Sequence, residues 1–176
     1  MLSKEELSTD ARFFVNPITL DEIFRRFNHC IEKYDLTCIK VGKLRRTLEG
    51  RLSPLYKTEP FLFIRNPENK EIREMYEKYC ELPDARKDNP ERSVEYYKNF
   101  ICKFTSEYDV KKGIVVIDQY NRIQDGLHRS CILLKNMGPN YEIQVLRIFP
   151  HYSLRTRFKL LRQMYWYDLK HFLHII

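Results

Sequence analysis

The stretch that most constrains this chain runs from Gly113 to Phe149 and reads GIVVIDQYNRIQDGLHRSCILLKNMGPNYEIQVLRIF. GIVVI is a short continuous apolar run, as in a strand buried on both faces, and DQYN collects turn residues. RIQD reads as a second strand and HRSCILLKN as a short helix ended by Gly138 and Pro139. YEIQVLRIF reads as a closing strand.

The remainder is compatible with one domain. A chain of 176 residues with 43% apolar and 14% aromatic content can build a core of its own. After Pro17, Thr19 and Glu22 have capping-box spacing and Ile18 and Ile23 can form a hydrophobic staple, so a helix is expected from about Leu20. Its apolar stripe would be Leu20, Ile23, Phe24, Phe27, Ile31 and Tyr34. The runs TCIKVGKL and PFLFI predict strands near Cys38 to Leu44 and Phe61 to Ile64, separated by a basic loop, RRTLEGRLSPLYKTE, that could close over a ligand. Asn66-Pro67 opens a helix with Ile72, Met75, Tyr76 and Tyr79 on one face. Asn89-Pro90 opens another with Val94, Tyr97, Ile101, Phe104 and Tyr108.

Thirty-one Lys and Arg against 24 Asp and Glu give a formal charge of +7, which favours anionic partners: nucleotides, nucleic acid or acidic membranes. The five cysteines, Cys30, Cys38, Cys80, Cys102 and Cys131, form no close pairs, so neither a disulfide framework nor a zinc-finger spacing is present, and a reducing cytoplasm is the expected compartment. The polar, acidic start MLSKEELSTDARFF is unlike a signal peptide, and no run approaches the ~20 apolar residues that span a bilayer.

The chemistry concentrates at Asp125 to Ser130. A strand that turns through glycine into a helix presents free N–H groups together with the positive end of the helix dipole, which suits an anion. Gly126 permits close approach, and His128 and Arg129 add donors and charge. Two cations in a first turn oppose the dipole by a few tenths to about 1 kcal/mol each, so they call for a compensating anion. Local chemistry alone leaves a second account open, in which Asp125 caps the helix and pairs with His128 or Arg129 without any ligand.

The run IVVIDQYNRIQDGLHRSCILLKNMGPNYEIQVLRI resembles the nucleotide-binding core shared by the ParB N-terminal domain, sulfiredoxin and the ParB-like free serine kinases. In that superfamily a strand leads into a Gly-x-(His/Arg)-Arg helix start that cradles phosphates, matched here by Gly126, His128 and Arg129, and a later glycine, here Gly138, precedes a final strand. The resemblance implies an α+β fold, a ParB/sulfiredoxin-like small mixed sheet surrounded by helices over residues 1–150, followed by a basic amphipathic helix over 151–176. It also implies binding of a nucleoside triphosphate, ATP or CTP, through Gly126, Leu127, His128, Arg129 and Ser130. Leu127 stands where sulfiredoxin has its nucleophilic cysteine, which argues against that chemistry, and Cys131 is expected to be a buried structural thiol. The 27 residues after Phe149 are too few for the helix-turn-helix domain of partition proteins.

Asp125-Gly126 instead resembles the Asp-Gly of the free serine kinases, which implies Asp125 and His128 as catalytic residues. Asp125, joined by Asp118, would then contact Mg2+. The implied activity is phosphoryl transfer to a small hydroxyl-bearing acceptor, an amino acid, a sugar or a glycan precursor. Stand-alone domains of this type with a basic tail also resemble proteins of surface-polysaccharide assembly. The rival expectation is a nucleotide-gated nucleic-acid-binding module or ParB-like nuclease. Glu59 is a further carboxylate without a motif to support it.

In the tail, Leu154, Phe158, Leu161, Tyr165, Leu169, Phe172 and Ile176 recur at helical spacing, and five basic residues against Asp168 give a net +4. Packing of this stripe on the domain is the favoured expectation. Peripheral contact with anionic lipid is the alternative, and phosphate-backbone contact with nucleic acid is a third.

Overall fold

The centre of the sheet is the strand that the apolar run promised, β4 (Val115–Asp118), with all four residues buried. The computed structural model describes residues 1–48, 50–81, 95, 96, 99 and 107–172. Before β4 come α1 (Lys4–Ser8), α2 (Pro17–Arg26), β1 (Ile31–Lys40), β2 (Arg45–Leu48), β3 (Arg51–Pro54), α3 (Glu59–Arg65) and α4 (Lys70–Glu81). After it come β5 (Ile123–Asp125), α5 (Leu127–Met137), β6 (Glu142–Pro150) and α6 (Leu154–Phe172). Among the described residues this is an α+β fold, with six helices around a mixed four-stranded sheet and a separate hairpin.

The sheet order is β1-β6-β4-β5, with β6 and β4 parallel and the other two pairs antiparallel. Parallel pairing of β4 with β6 requires a crossover, and α5 is that crossover. Residues of β4 alternate between two cores. Val115 and Ile117 join Leu127, Cys131, Leu133, Phe63 and Tyr76 beneath α3, α4 and α5. Ile114 and Val116 join Leu7, Leu20, Ile23 and Phe24 of α1 and α2. A strand covered on both faces must be apolar at every position, which explains the unbroken run. In β1 a register shift between Ile31 and Tyr34 lets Ile31, Tyr34 and Leu36 all reach the second core, because an extra residue reverses the two-residue alternation.

Several expectations are corrected. Helix α2 begins at Pro17, not Leu20. Asn16 is the cap, its side-chain oxygen accepting from Ile18 N–H at 2.9 Å, so the Thr19–Glu22 box is not used. The helix stops at Arg26, where Asn28 and His29 turn left-handed, and Ile31 and Tyr34 lie in β1. PFLFI is helical, since Pro60 in the first turn of α3 supplies a preset helical φ and a four-residue apolar run does not distinguish strand from helix. The basic loop is the β2–β3 hairpin, attached to the sheet turn by Arg45 N–H donating to Asn121 O at 2.9 Å. The tyrosine-rich helix after Asn66-Pro67 is α4, starting slightly later than expected, with Ile72 N–H bonded to Asn69 Oδ1. The helix expected after Asn89-Pro90 falls largely outside the described residues. Of its stripe, Tyr108 is seen packed against the first core.

The tail is helical as expected but turned differently. Leu160 is buried against Leu52 and Tyr120, with Leu161 and Met164 beside it, while Leu154, Phe158, Tyr165 and Leu169 face outward. Polar bonds fix the rotation: Gln163 accepts from Leu52 N–H at 3.0 Å and donates to Gly50 O at 3.3 Å, satisfying the edge of the hairpin.

Candidate functional site

Gly126 opens α5 in the left-handed region, at φ 86° and ψ 24°, and no side chain caps the helix. Asp125 therefore does not act as the cap. A Cβ at Gly126 would lie 2.9 Å from Val115 Cγ2 and 3.2 Å from Val115 Cα, so glycine is required both by torsion and by the closeness of β4. The first intrahelical bond runs from Ser130 N–H to Gly126 O at 2.9 Å, and the amides before it point out of the helix end. The first turn carries no acidic residue.

The motif side chains divide around this opening. Leu127 is buried in the core and contributes only backbone to the outer surface. Ser130, expected among the phosphate-binding groups, is fully buried and directs both N–H and Oγ to Gly126 O, each at 2.9 Å. His128 turns toward α4: its Nε2 lies 2.9 Å from Tyr76 Oη, and its ring packs against Tyr76 and Tyr79 at 6.0 Å between centroids. Arg129 turns the other way, over the start of β4, and donates from Nη1 to Gly113 O at 2.7 Å. Gly113 is shaped for that contact, since a Cβ there would meet the guanidinium at 2.7 Å.

Asp125 lies at the end of β5, paired with Val116, and its charge and that of Arg129 act in opposite directions on the Tyr108 phenol. Tyr108 Oη accepts from Val115 N–H at 2.8 Å and donates to Gln144 O at 2.9 Å, bridging β4 and β6. Burial pushes its phenol up to about 12. Neither Tyr108 nor Tyr76 could be assigned to the site from periodicity, which marks an apolar face without saying where a hydroxyl ends.

Asp118 has a different setting. It is fully buried at the β4–β5 turn and accepts from Tyr120 N–H at 2.9 Å, Arg122 N–H at 3.1 Å, Arg122 Nε at 2.9 Å and Tyr152 Oη at 2.8 Å. These bonds account for its carboxylate as the organiser of the turn and of the β6–α6 junction. Among the described residues no three His, Cys, Asp or Glu side chains gather as a metal cluster.

Cys131 is fully buried under α3. Burial pushes the thiol up to about 12, and Thr58 Oγ1 lies 3.5 Å from Sγ. The burial expected for it is seen. Next to it, between α3 and α4, is a groove of about 400 Å³ lined by Glu59, Glu71, Glu74, Met75, Lys78 and Tyr79. Glu59 Oε2 is buried there without a hydrogen-bond partner among the described residues. Arg46 of the hairpin lies 5.6 Å over the Tyr79 ring, with its Nε likewise buried and unbonded. Tyr79 thus links this groove to His128 and so to the opening of α5.

No protein-family model matches the chain, and neither the curated proteins nor the solved structures include a significant match.

Proposed function

We propose that the chain binds a nucleoside triphosphate at the opening of α5 and transfers its terminal phosphoryl group to a small hydroxyl-bearing acceptor. The observation that carries this reading is a helix start opened by left-handed Gly126, without side-chain cap or acidic residue, and flanked by Asp125, His128 and Arg129. The helix-opening amides and Arg129 hold phosphate oxygens, and Arg129 is well suited because its bond to Gly113 fixes the guanidinium while leaving further donors. His128, held by Tyr76 on the α4 side of the opening, is the second side chain of this reading that meets the phosphates. The run from β5 through Gly126 and α5 to β6 is what supports a ParB/sulfiredoxin-like assignment of the fold.

In the transfer, the acceptor oxygen bonds to the terminal phosphorus, the bond to the bridging oxygen breaks, and the nucleoside diphosphate leaves. Asp125 is the carboxylate at hand, as base toward the acceptor proton or as a ligand to Mg2+. The metal, when bound, supplies neutralisation of phosphate charge. The groove at Glu59, Lys78 and Tyr79 is one concave surface among the described residues that could receive an acceptor.

The test is a thermal-shift series with ATP, CTP and GTP, with and without Mg2+. A nucleotide at a hundred times its Kd adds ~2.7 kcal/mol, or roughly 5 to 11 °C for a chain of this size. Arg129→Ala should abolish the shift with the fold retained. Asp125→Asn should keep binding and lose phosphoryl transfer to candidate acceptors. A wild-type protein that no nucleotide stabilises at millimolar concentration refutes the reading.

A further inference from the structure

The outward face of α6 carries a concentration of large side chains that no other part of the described surface matches. Leu154 is 69% exposed, Phe158 71%, Tyr165 68%, Trp166 60% and Leu169 46%. At ~100° per residue, Leu154, Phe158, Tyr165 and Leu169 fall within a sector about 60° wide. Of the side chains that hold the helix to the hairpin and to Tyr120, Leu160 and Gln163 lie on roughly the opposite side, and Met164 and Leu161 lead from there toward one edge of the stripe. The helix is therefore fixed by one face, and its second apolar face is turned to the outside. Arg155 and Arg162 border the exposed stripe on one side and Arg157 on the other, all three exposed. Single exposed apolar residues need no explanation, but a contiguous stripe with charged borders marks a contact surface.

We propose that this face of α6 docks on an anionic lipid surface, the stripe seated at the boundary of headgroups and acyl chains and the arginines on lipid phosphates. Charge complementarity selects this occupant. A second copy of the chain, meeting this face about a twofold axis, would bring together two stripes each bordered by Arg155, Arg157 and Arg162, adding like charge to like. Nucleic acid would satisfy the arginines but leave Leu154, Phe158 and Leu169 without an apolar environment. The net charge of +7 adds attraction at longer range. Among the described residues no helix is long and apolar enough to cross a membrane, so the contact is with the surface.

The full chain is to be mixed with phosphatidylcholine vesicles with and without a phosphatidylserine fraction, following co-sedimentation and the emission of Trp166, the sole tryptophan. Expected are binding to the phosphatidylserine vesicles alone at low salt, a blue shift of the emission, and release as salt is raised. Replacing Arg155, Arg157 and Arg162 by Gln should lower partitioning by roughly a hundredfold, at about fivefold per charge. Phe158→Ser should abolish the blue shift without changing the melting temperature, because the side chain makes little contact with the domain. The proposal is overturned if the wild-type chain ignores both vesicles, if Phe158→Ser binds them as wild type does, or if light scattering shows a dimer that Phe158→Ser converts to monomer. Tighter binding to duplex DNA than to phosphatidylserine vesicles also overturns it.

Discussion

Replacing Gly126 by Ala tests the claim that the opening of α5 is built against β4. The added Cβ would have to sit at φ 86°, which costs an L-residue about 1 to 2 kcal/mol. It would also meet Val115 at 2.9 Å from Cγ2 and 3.2 Å from Cα. Val115 is fully buried in an interior strand, so neither atom can move aside cheaply, and overpacking of this kind costs ~1 to 3 kcal/mol. Together these make roughly 2 to 5 kcal/mol, or a fall of about 4 to 20 °C in Tm. Gly50→Ala is the control. Its φ is 73°, similarly left-handed, but the nearest neighbour of a Cβ is Lys159 Nζ at an ordinary 3.8 Å, so it should lose only the torsional part, about 1 to 2 kcal/mol. Urea unfolding of both variants beside the wild type measures the difference directly. If Gly126→Ala is no less stable than Gly50→Ala, the close approach of α5 to β4 is wrong.

Asp118→Ala leaves Arg122 and Tyr152 without their shared acceptor and should cost roughly 3 kcal/mol, read as a lower urea midpoint. The protein should lose stability as pH rises. The Cys131 thiol is raised from 9.0 to about 12 and the Tyr108 phenol from 10.0 to about 12, so below pH 9 the fold holds both in the protonated form it requires, and between pH 9 and 12 the unfolded chain releases protons that the native state retains. Urea midpoints across that range should fall, with Cys131→Ala moving the onset toward pH 10. Tyr76→Phe removes the hydroxyl that positions His128 and should cost about 1 to 3 kcal/mol while weakening nucleotide binding, which calorimetry and the thermal-shift series measure separately.

The elements most legible in the sequence were those whose pattern admits one environment. The β4 run, the DQYN turn with left-handed Asn121, the α5 helix and its stop at Gly138 were all readable because apolar continuity and turn chemistry agree there. PFLFI was not, because its apolar residues suit either a buried strand or a buried helix and the deciding feature is the torsion preset by Pro60. RRTLEGRLSPLYKTE looked like a loop because the hairpin faces it forms are mostly polar. The tail misled in another way. Most of its regular apolar spacing, Leu154, Phe158, Tyr165 and Leu169, marks the exposed face, while the packed face is built from Leu160, Leu161, Met164 and the amide of Gln163, which hydropathy does not score as a contact.

The candidate site can be divided into what packing explains and what it does not. Gly126 is explained by its own torsion and by Val115, and it would be glycine whether or not a ligand binds. Ser130 is explained by its bonds to the Gly126 carbonyl, and Leu127 and Cys131 by the core. Arg129 is explained only in part, since one bond to Gly113 O does not require a five-donor cation in the first turn of a helix, where its charge opposes the dipole. No acidic side chain in that turn offsets it. Packing alone would be served as well by a neutral donor in place of Arg129, whereas His128 is held by its bond to Tyr76 Oη and by the Tyr76 and Tyr79 rings. The discriminating substitution is therefore Arg129→Gln. If α5 merely connects β5 to β6, removing a charge that opposes the dipole should offset much of the lost bond to Gly113 O, leaving the ligand-free protein within about 1 kcal/mol of wild type and changing nothing else. If the turn holds phosphate, the same small change in ligand-free stability should come with loss of the nucleotide-induced shift.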